Sequence, residues 1–138
     1  MRYRVVALGG GRMKSAALRD ACDEYLSRIR HYAKIEEQEV QEARIPEDSR
    51  LVALARTGES WTSEQLAELT GRWEMEGRDV TFAIGDADGL PQEILNRAER
   101  TWSLGSLTLP HELARVVVYE QLYRAYTIRR GEKYHRGS

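Results

Sequence analysis

The sequence predicts an α/β domain built on a mostly parallel sheet flanked by helices. Three observations carry that expectation. Short apolar runs (Tyr3–Leu8, Arg50–Ala55, Val80–Ile84) alternate with stretches whose apolar residues recur every three or four positions. At 138 residues the chain suits one domain with a core of ordinary size. Its 41% hydrophobic and 31% charged residues are those of a globular chain, not a disordered one.

Taken in order, Tyr3–Leu8 reads as a buried strand ended by Gly9-Gly10-Gly11. The triple glycine is not a dinucleotide fingerprint, because Lys14 stands where a further glycine is needed. Leu18, Cys22, Tyr25, Leu26 and Ile29 form one stripe of an amphipathic helix. Lys34–Val40 reads as an edge strand, since it carries Glu36, Glu37 and Glu39. Arg44–Ser49 is a turn, Arg50–Ala55 a core strand, and Thr57–Ser60 its break. Thr62 and Gln65 have the spacing of a capping box, opening a helix through Leu66, Leu69 and Trp73 that Gly77 closes. Val80–Ile84 is the clearest strand, and Pro91 starts a helix through Ile94, Leu95 and Ala98. From Glu112 to Thr127 apolar residues cover more than one face of a long helix, as in a buried helix or one shared with a second copy.

Net charge is −1, so the chain as a whole does not advertise nucleic-acid binding, although Arg124–Arg136 gathers basic residues around the single acid Glu132. The lone Cys22 excludes an internal disulfide and fits a packing role in a reducing compartment. With no apolar run of membrane-spanning length and no signal-peptide core, a cytoplasmic protein is expected. His31, His111 and His135 lack metal-ligand spacing, so no metal site is expected.

Parallel sheets bind ligands beyond the carboxyl ends of their strands. Three loops qualify: those after Leu54 and after Ile84, and the one containing Gly105. The stretch from Trp102 to His111 is nearly free of charge. Gly105 and Ser106 would let backbone approach a ligand there, Leu104, Leu107 and Leu109 would wall an apolar slot, and Pro110 would open the next helix. Asp86 and Asp88 fall in a glycine turn, where acids commonly make turn hydrogen bonds. At the C-terminus Tyr134-His135-Arg136 gathers a phenol, an imidazole and a guanidinium, a cluster able to hold a nucleotide and move a proton.

Taken together, Trp102–His111, Leu122-Tyr123-Arg124-Ala125-Tyr126 and Tyr134-His135-Arg136 resemble the RlmH family, ribosomal large-subunit RNA methyltransferases of the SPOUT superfamily. The resemblance extends over residues 1–138 as one domain and is strongest from Trp102 onward. It implies a deep trefoil knot within about residues 80–130, a C-terminal tail over 128–138, and an obligate homodimer. It implies S-adenosylmethionine as methyl donor and N3 of a pseudouridine in large-subunit (23S) ribosomal RNA as acceptor. By position, the family's donor pocket falls on Leu54, Gly85, Asp86, Gly105, Ser106, Leu107, Thr108, Leu109 and Pro110. The tail would reach the partner subunit's site, giving Tyr134, His135 and Arg136 catalytic or positioning roles. His111, Arg124, Arg129 and Arg130 would contact RNA. The family usually has Gly-Gly-Pro-Glu-Gly where this chain has Gly85-Asp86-Ala87-Asp88-Gly89, and its acid after the second core strand is replaced by Ala55-Arg56. Two alternatives follow from these departures: an RNA-associated binder of the same fold without catalysis, and a SPOUT enzyme with another RNA acceptor.

Overall fold

The computed structural model describes residues 1–9, 12–42 and 44–136, the last two by backbone alone. Five strands, β1 (Arg2–Leu8), β2 (Lys34–Val40), β3 (Arg50–Ser60), β4 (Val80–Ile84) and β5 (Arg100–Ser103), form one sheet in the order β2-β1-β4-β3-β5. Every pairing among them is parallel, which requires crossover connections such as α1 between β1 and β2 and α2 between β3 and β4. These helices are α1 (Ala16–Ile29) and α2 (Ser63–Glu76); α3 (Gln92–Arg97) and α4 (His111–Arg129) come later, followed by a 3-10 turn over Lys133–Arg136.

Alternation along the strands divides the core. Tyr3 and Val5 of β1, Val52 of β3, Val80 and Phe82 of β4 and Trp102 of β5 face α1, α2 and α4, giving the main cluster. Tyr3, Trp73, Phe82 and Tyr126 meet ring to ring at its centre. Leu51 and Ala83 point the other way and are covered by Ile45 and by Ile94 of α3. Helix α4 packs against both α1 and α2, which is why its apolar residues exceed one stripe.

Local signals set the helix ends. Thr62 and Gln65 complete the reciprocal capping box of α2, and Gly77 ends it in left-handed backbone at φ 78°. Ser15 caps α1 by accepting from the Leu18 N–H. Cys22 is buried in the main core.

Contrary to the sequence expectation, there is no break at Thr57–Ser60. Strand β3 runs on to Ser60, through an irregularity between Leu54 and Glu59 that restores pairing of Glu59 with Trp102 and Ser60 with Ser103. Gly58 makes this possible, since a Cβ there would lie 2.7 Å from the Thr101 carbonyl carbon. The acids of β2, the expected edge strand, are neutralised rather than merely solvated. Arg4 meets Glu36 at 2.9 Å, and Arg19 meets Glu37 at 2.7 Å.

Candidate active site

The carboxyl ends of β3, β4 and β5 open onto a cleft of about 510 Å³, lined from Leu54 to Arg56, from Ile84 to Leu90, and by the chain around Gly105, down to His111 and Ala114 on α4. That size falls in the ~300–1,000 Å³ range of small-molecule sites. After β4 the chain folds into a tight turn. The Gly89 N–H donates to the Asp86 carbonyl at 3.0 Å, and the Asp88 N–H donates to Asp86 Oδ1 at 2.9 Å. Gly85 lies so close under this turn that a Cβ would meet the Gly89 carbonyl carbon at 2.5 Å.

The opposite wall has the contrary property. Gly105 has φ 126° with no atom within 4 Å of its would-be Cβ, so bare backbone faces open space. Ser103 Oγ holds this corner, lying 3.2 Å from both the N–H and the carbonyl oxygen of Gly105. Beyond it, Ser106 to Leu109 make no hydrogen bond with the described residues, leaving their N–H and C=O groups available to a ligand. Leu107 is 78% exposed at the rim.

Most residues singled out in the sequence gather at this cleft. Leu54, Gly85, Asp86, Gly105, Leu107, Thr108, Leu109 and His111 all line it, while Ser106 and Pro110 belong to the same loop without lining it. The basic and tail residues lie elsewhere. Tyr134 sits against the C-terminal half of α4, its hydroxyl donating to Glu120 Oε2 at 2.8 Å and its ring 4.7 Å from that of Tyr123. Arg124 pairs with the same Glu120 at 2.9 Å, and Arg129 with Glu74 at 2.8 Å. Arg130 lies over the Tyr32 ring at 5.2 Å. The side chains of His135 and Arg136 lie outside the described residues. Within one chain, therefore, Tyr134 and the cleft do not meet.

Sequence reasoning missed a second, smaller cleft of about 250 Å³ at the carboxyl end of β1. It shares Gly85, Asp86, Ala87 and His111 with the first and adds Gly9, Arg12, Lys14, Glu112 and Arg115. This is the switch point of the sheet, where the crossovers from the adjacent strands β1 and β4 depart to opposite sides. Its far wall is pinned by carboxylates. Glu112 accepts from the N–H groups of Lys14 at 3.0 Å and Ser15 at 3.1 Å, and these hold its carboxyl below the usual range. Glu39 accepts from the Met13 N–H at 2.8 Å.

Behind this wall lies a buried charge cluster. Arg115, only 3% exposed, donates from Nη1 to Glu39 at 2.9 Å and sets Nη2 2.8 Å from Glu37, whereas its Nε has no hydrogen-bond partner among the described residues. Tyr119 donates to Glu37 at 2.5 Å. Burial opposes charge on Glu37, but hydrogen bonds from Arg19, Tyr119 and Arg115 outweigh it and lower its pKa. The signal in the sequence was thin: an arginine on a mostly apolar helix, and three acids on one strand. Among the described residues no group of histidine, cysteine and acidic side chains is placed to hold a metal ion, and no helix is long and apolar enough to cross a membrane.

A parallel α/β domain with a backbone-rich cleft beyond its strand ends is the architecture of nucleotide- and cofactor-binding proteins. Residues 1–135 match the family described as predicted SPOUT methyltransferase. The chain is 43% identical to the ribosomal RNA large subunit methyltransferase H of Anaeromyxobacter sp. (strain Fw109-5), over 99% of this chain and 100% of that one. It is 37% identical to the protein of that name from Chromohalobacter salexigens, again over 99% and 100%. A probable methylase family protein of Haemophilus influenzae Rd KW20 shares the fold at TM-score 0.66 and 10% identity, covering 96% of this chain and 69% of that one. A probable methyltransferase of Bordetella pertussis does so at 0.62 and 12%, covering 90% and 93%. The chain belongs to the RlmH family of SPOUT methyltransferases.

Proposed function

We propose that this protein transfers a methyl group from S-adenosylmethionine to N3 of a pseudouridine in large-subunit (23S) ribosomal RNA. The observation that carries the reading is the first cleft, open at Gly105 and walled by backbone groups with free hydrogen-bonding capacity, in a chain of this family. Those groups suit the edge of an adenine, and the leucines suit its faces. Asp86 and Asp88 are both among the residues lining the same cleft, which makes its surroundings acidic and suits a cation.

When bound, the donor supplies an already activated methyl on a positive sulfonium. The residues of the chain then have to align the acceptor, exclude water and take up one proton as the N3–methyl bond forms. His135 is the candidate for that proton, with Arg136 or Arg124 neutralising phosphate or developing negative charge and Tyr134 positioning the base. His111, at the start of α4 and lining both clefts, is read as a substrate contact. The same reading makes the protein a cytoplasmic homodimer. Half-buried Val116 and Tyr123 leave α4 partly uncovered for a second copy.

It also makes residues 80–130 a trefoil knot. Support comes from the path of the chain: α3 covers one face of the sheet, and the segment after β5 then crosses the strand ends from the sheet edge to β1 before α4 packs on the opposite face. The test is calorimetric titration with S-adenosylhomocysteine, followed by methyl transfer to large ribosomal subunits. Saturable binding at one cleft and a methylated pseudouridine are expected. Donor binding without transfer to any RNA would leave a non-catalytic RNA binder, and a methylated nucleotide of another kind would leave a SPOUT enzyme with a different acceptor.

A further inference from the structure

Resting on the methyl-transfer reading, we propose that the second cleft is the acceptor subsite, taking one base of a single-stranded ribonucleotide whose phosphates lie on Arg12 and Lys14. Location points there first. The two clefts share Gly85, Asp86, Ala87 and His111, so a base in one lies next to a ligand in the other. Size points the same way: about 250 Å³ is below the range for whole cofactors and leaves room for a base alone.

Charge adds a third ground. Most arginines of α1 and α4 are engaged by acids, among them Arg19, Arg115, Arg124 and Arg129. Arg12 and Lys14 are both exposed at the mouth of the second cleft, and neither side chain makes an ion pair or hydrogen bond among the described residues. The backbone from Arg12 onward is nevertheless anchored, since Glu39 and Glu112 hold the N–H groups of residues 13, 14 and 15. Two such cations on a fixed segment suit the spaced phosphates of a strand. Arg115 also lines this cleft, and its buried Nε has no hydrogen-bond partner among the described residues.

The test compares the wild type with the double variant R12Q/K14Q in binding to large ribosomal subunits. Salt is varied with S-adenosylhomocysteine present, and methyl transfer is assayed in parallel. Both side chains are exposed, and the backbone hydrogen bonds of residues 13 to 15 do not involve them, so the fold is retained. The variant is expected to bind ribosomal subunits about tenfold more weakly at low salt, with a salt slope shallower by about 1.4, about 0.7 for each phosphate no longer neutralised. The affinity for S-adenosylhomocysteine should be unchanged, and KM for subunits should rise with kcat nearly constant. Wild-type affinity and slope in the variant would overturn the subsite even if methylation proceeds. If the wild type binds but transfers no methyl group, the enzymatic reading falls, whereas the shift in binding still assigns this cleft to RNA.

Discussion

Replacing Gly85 with alanine separates a local packing effect from an effect on the site. A Cβ at Gly85 would meet the carbonyl carbon of Gly89 at 2.5 Å, its oxygen at 2.7 Å and the Leu90 nitrogen at 2.8 Å. All three are backbone atoms, so no side chain can swing aside. Ordinary contact begins near 3.4 Å, and the turn over Asp86–Gly89 must therefore retreat by roughly 1 Å. Overpacking of this kind costs about 1–3 kcal/mol. The displaced turn is the wall common to both clefts, and a 1 Å misplacement of reacting groups lowers a rate by about 100-fold. Gly85→Ala is thus expected to lose about 100-fold in methyl transfer and about tenfold in affinity for S-adenosylhomocysteine, read by calorimetry. Gly77→Ala is the control. At φ 78° with nothing within 4 Å it introduces backbone strain of about 1–2 kcal/mol, far from the clefts. Its stability should fall comparably and its activity should not. If Gly85→Ala binds and transfers like the wild type, the loop after β4 is not the wall of the active site.

Other consequences follow from the buried charges and the tail. Glu37→Ala removes the acceptor of the buried Tyr119 hydroxyl and one of the two carboxylates facing Arg115, and should destabilise the protein by about 3 kcal/mol in urea titration; a loss under about 1 kcal/mol would mean that Glu39 alone suffices. Glu37, Glu74 and Asp79 all have lowered pKa values, held down against burial by Arg19, by Arg129 and by the Arg2 N–H respectively. A carboxyl depressed in the folded state contributes stability that is complete above its unfolded value and is lost as pH falls through the folded one. Urea midpoints should therefore hold from about pH 7 to about 5 and drop below the ordinary glutamate value of 4.5; a midpoint unchanged at about pH 3 would contradict the assignment. Deleting residues 134–138 should abolish methyl transfer while sparing dimerisation and donor binding, measured by light scattering and calorimetry; full activity after that deletion would remove the tail from the site.

What the sequence made legible were features decided within a few residues. The capping box of Thr62 and Gln65, the left-handed end at Gly77 and the β-branched run Val80–Ile84 depend on neighbours in the chain, and each is where it was expected. The run through Ser60 was hidden because Thr57–Ser60 reads as a break; only β5, some forty residues on, supplies the partner that keeps it extended. The first cleft was legible because its walls are strand-end loops, which topology alone brings together. The second was not, because Arg12 and Lys14 matter through what they lack among the described residues, an ion-pair partner. That can be judged only when Glu37, Glu39 and Glu112 have been seen to be occupied by other groups.

The placement of the tail bears on whether the proposed activity needs two copies. Helix α4 has 19 residues, a length of about 28 Å. His111 and Ala114 at its N-terminal end line the first cleft, whereas Tyr134 is fastened to Glu120 and Tyr123, with Tyr123 about 18 Å farther along the axis than His111. For the tail of one chain to serve its own cleft, it would have to give up the Glu120 hydrogen bond and the Tyr123 ring packing and run back along the helix. A second copy packed on the uncovered side of α4, in antiparallel sense, would instead set the tail of each chain beside the cleft of the other with both interactions intact. A heterodimer of one tail-deleted chain and one Gly85→Ala chain distinguishes the two arrangements. If tails act across the dimer, the intact cleft of the tail-deleted chain faces the tail of its partner, and the damaged cleft faces none. That heterodimer, purified through a different tag on each chain, should keep about half the wild-type rate, although either homodimer alone is nearly inactive. If each chain completed its own site, neither cleft would have both parts, and a heterodimer as inactive as the two homodimers would refute the exchange of tails.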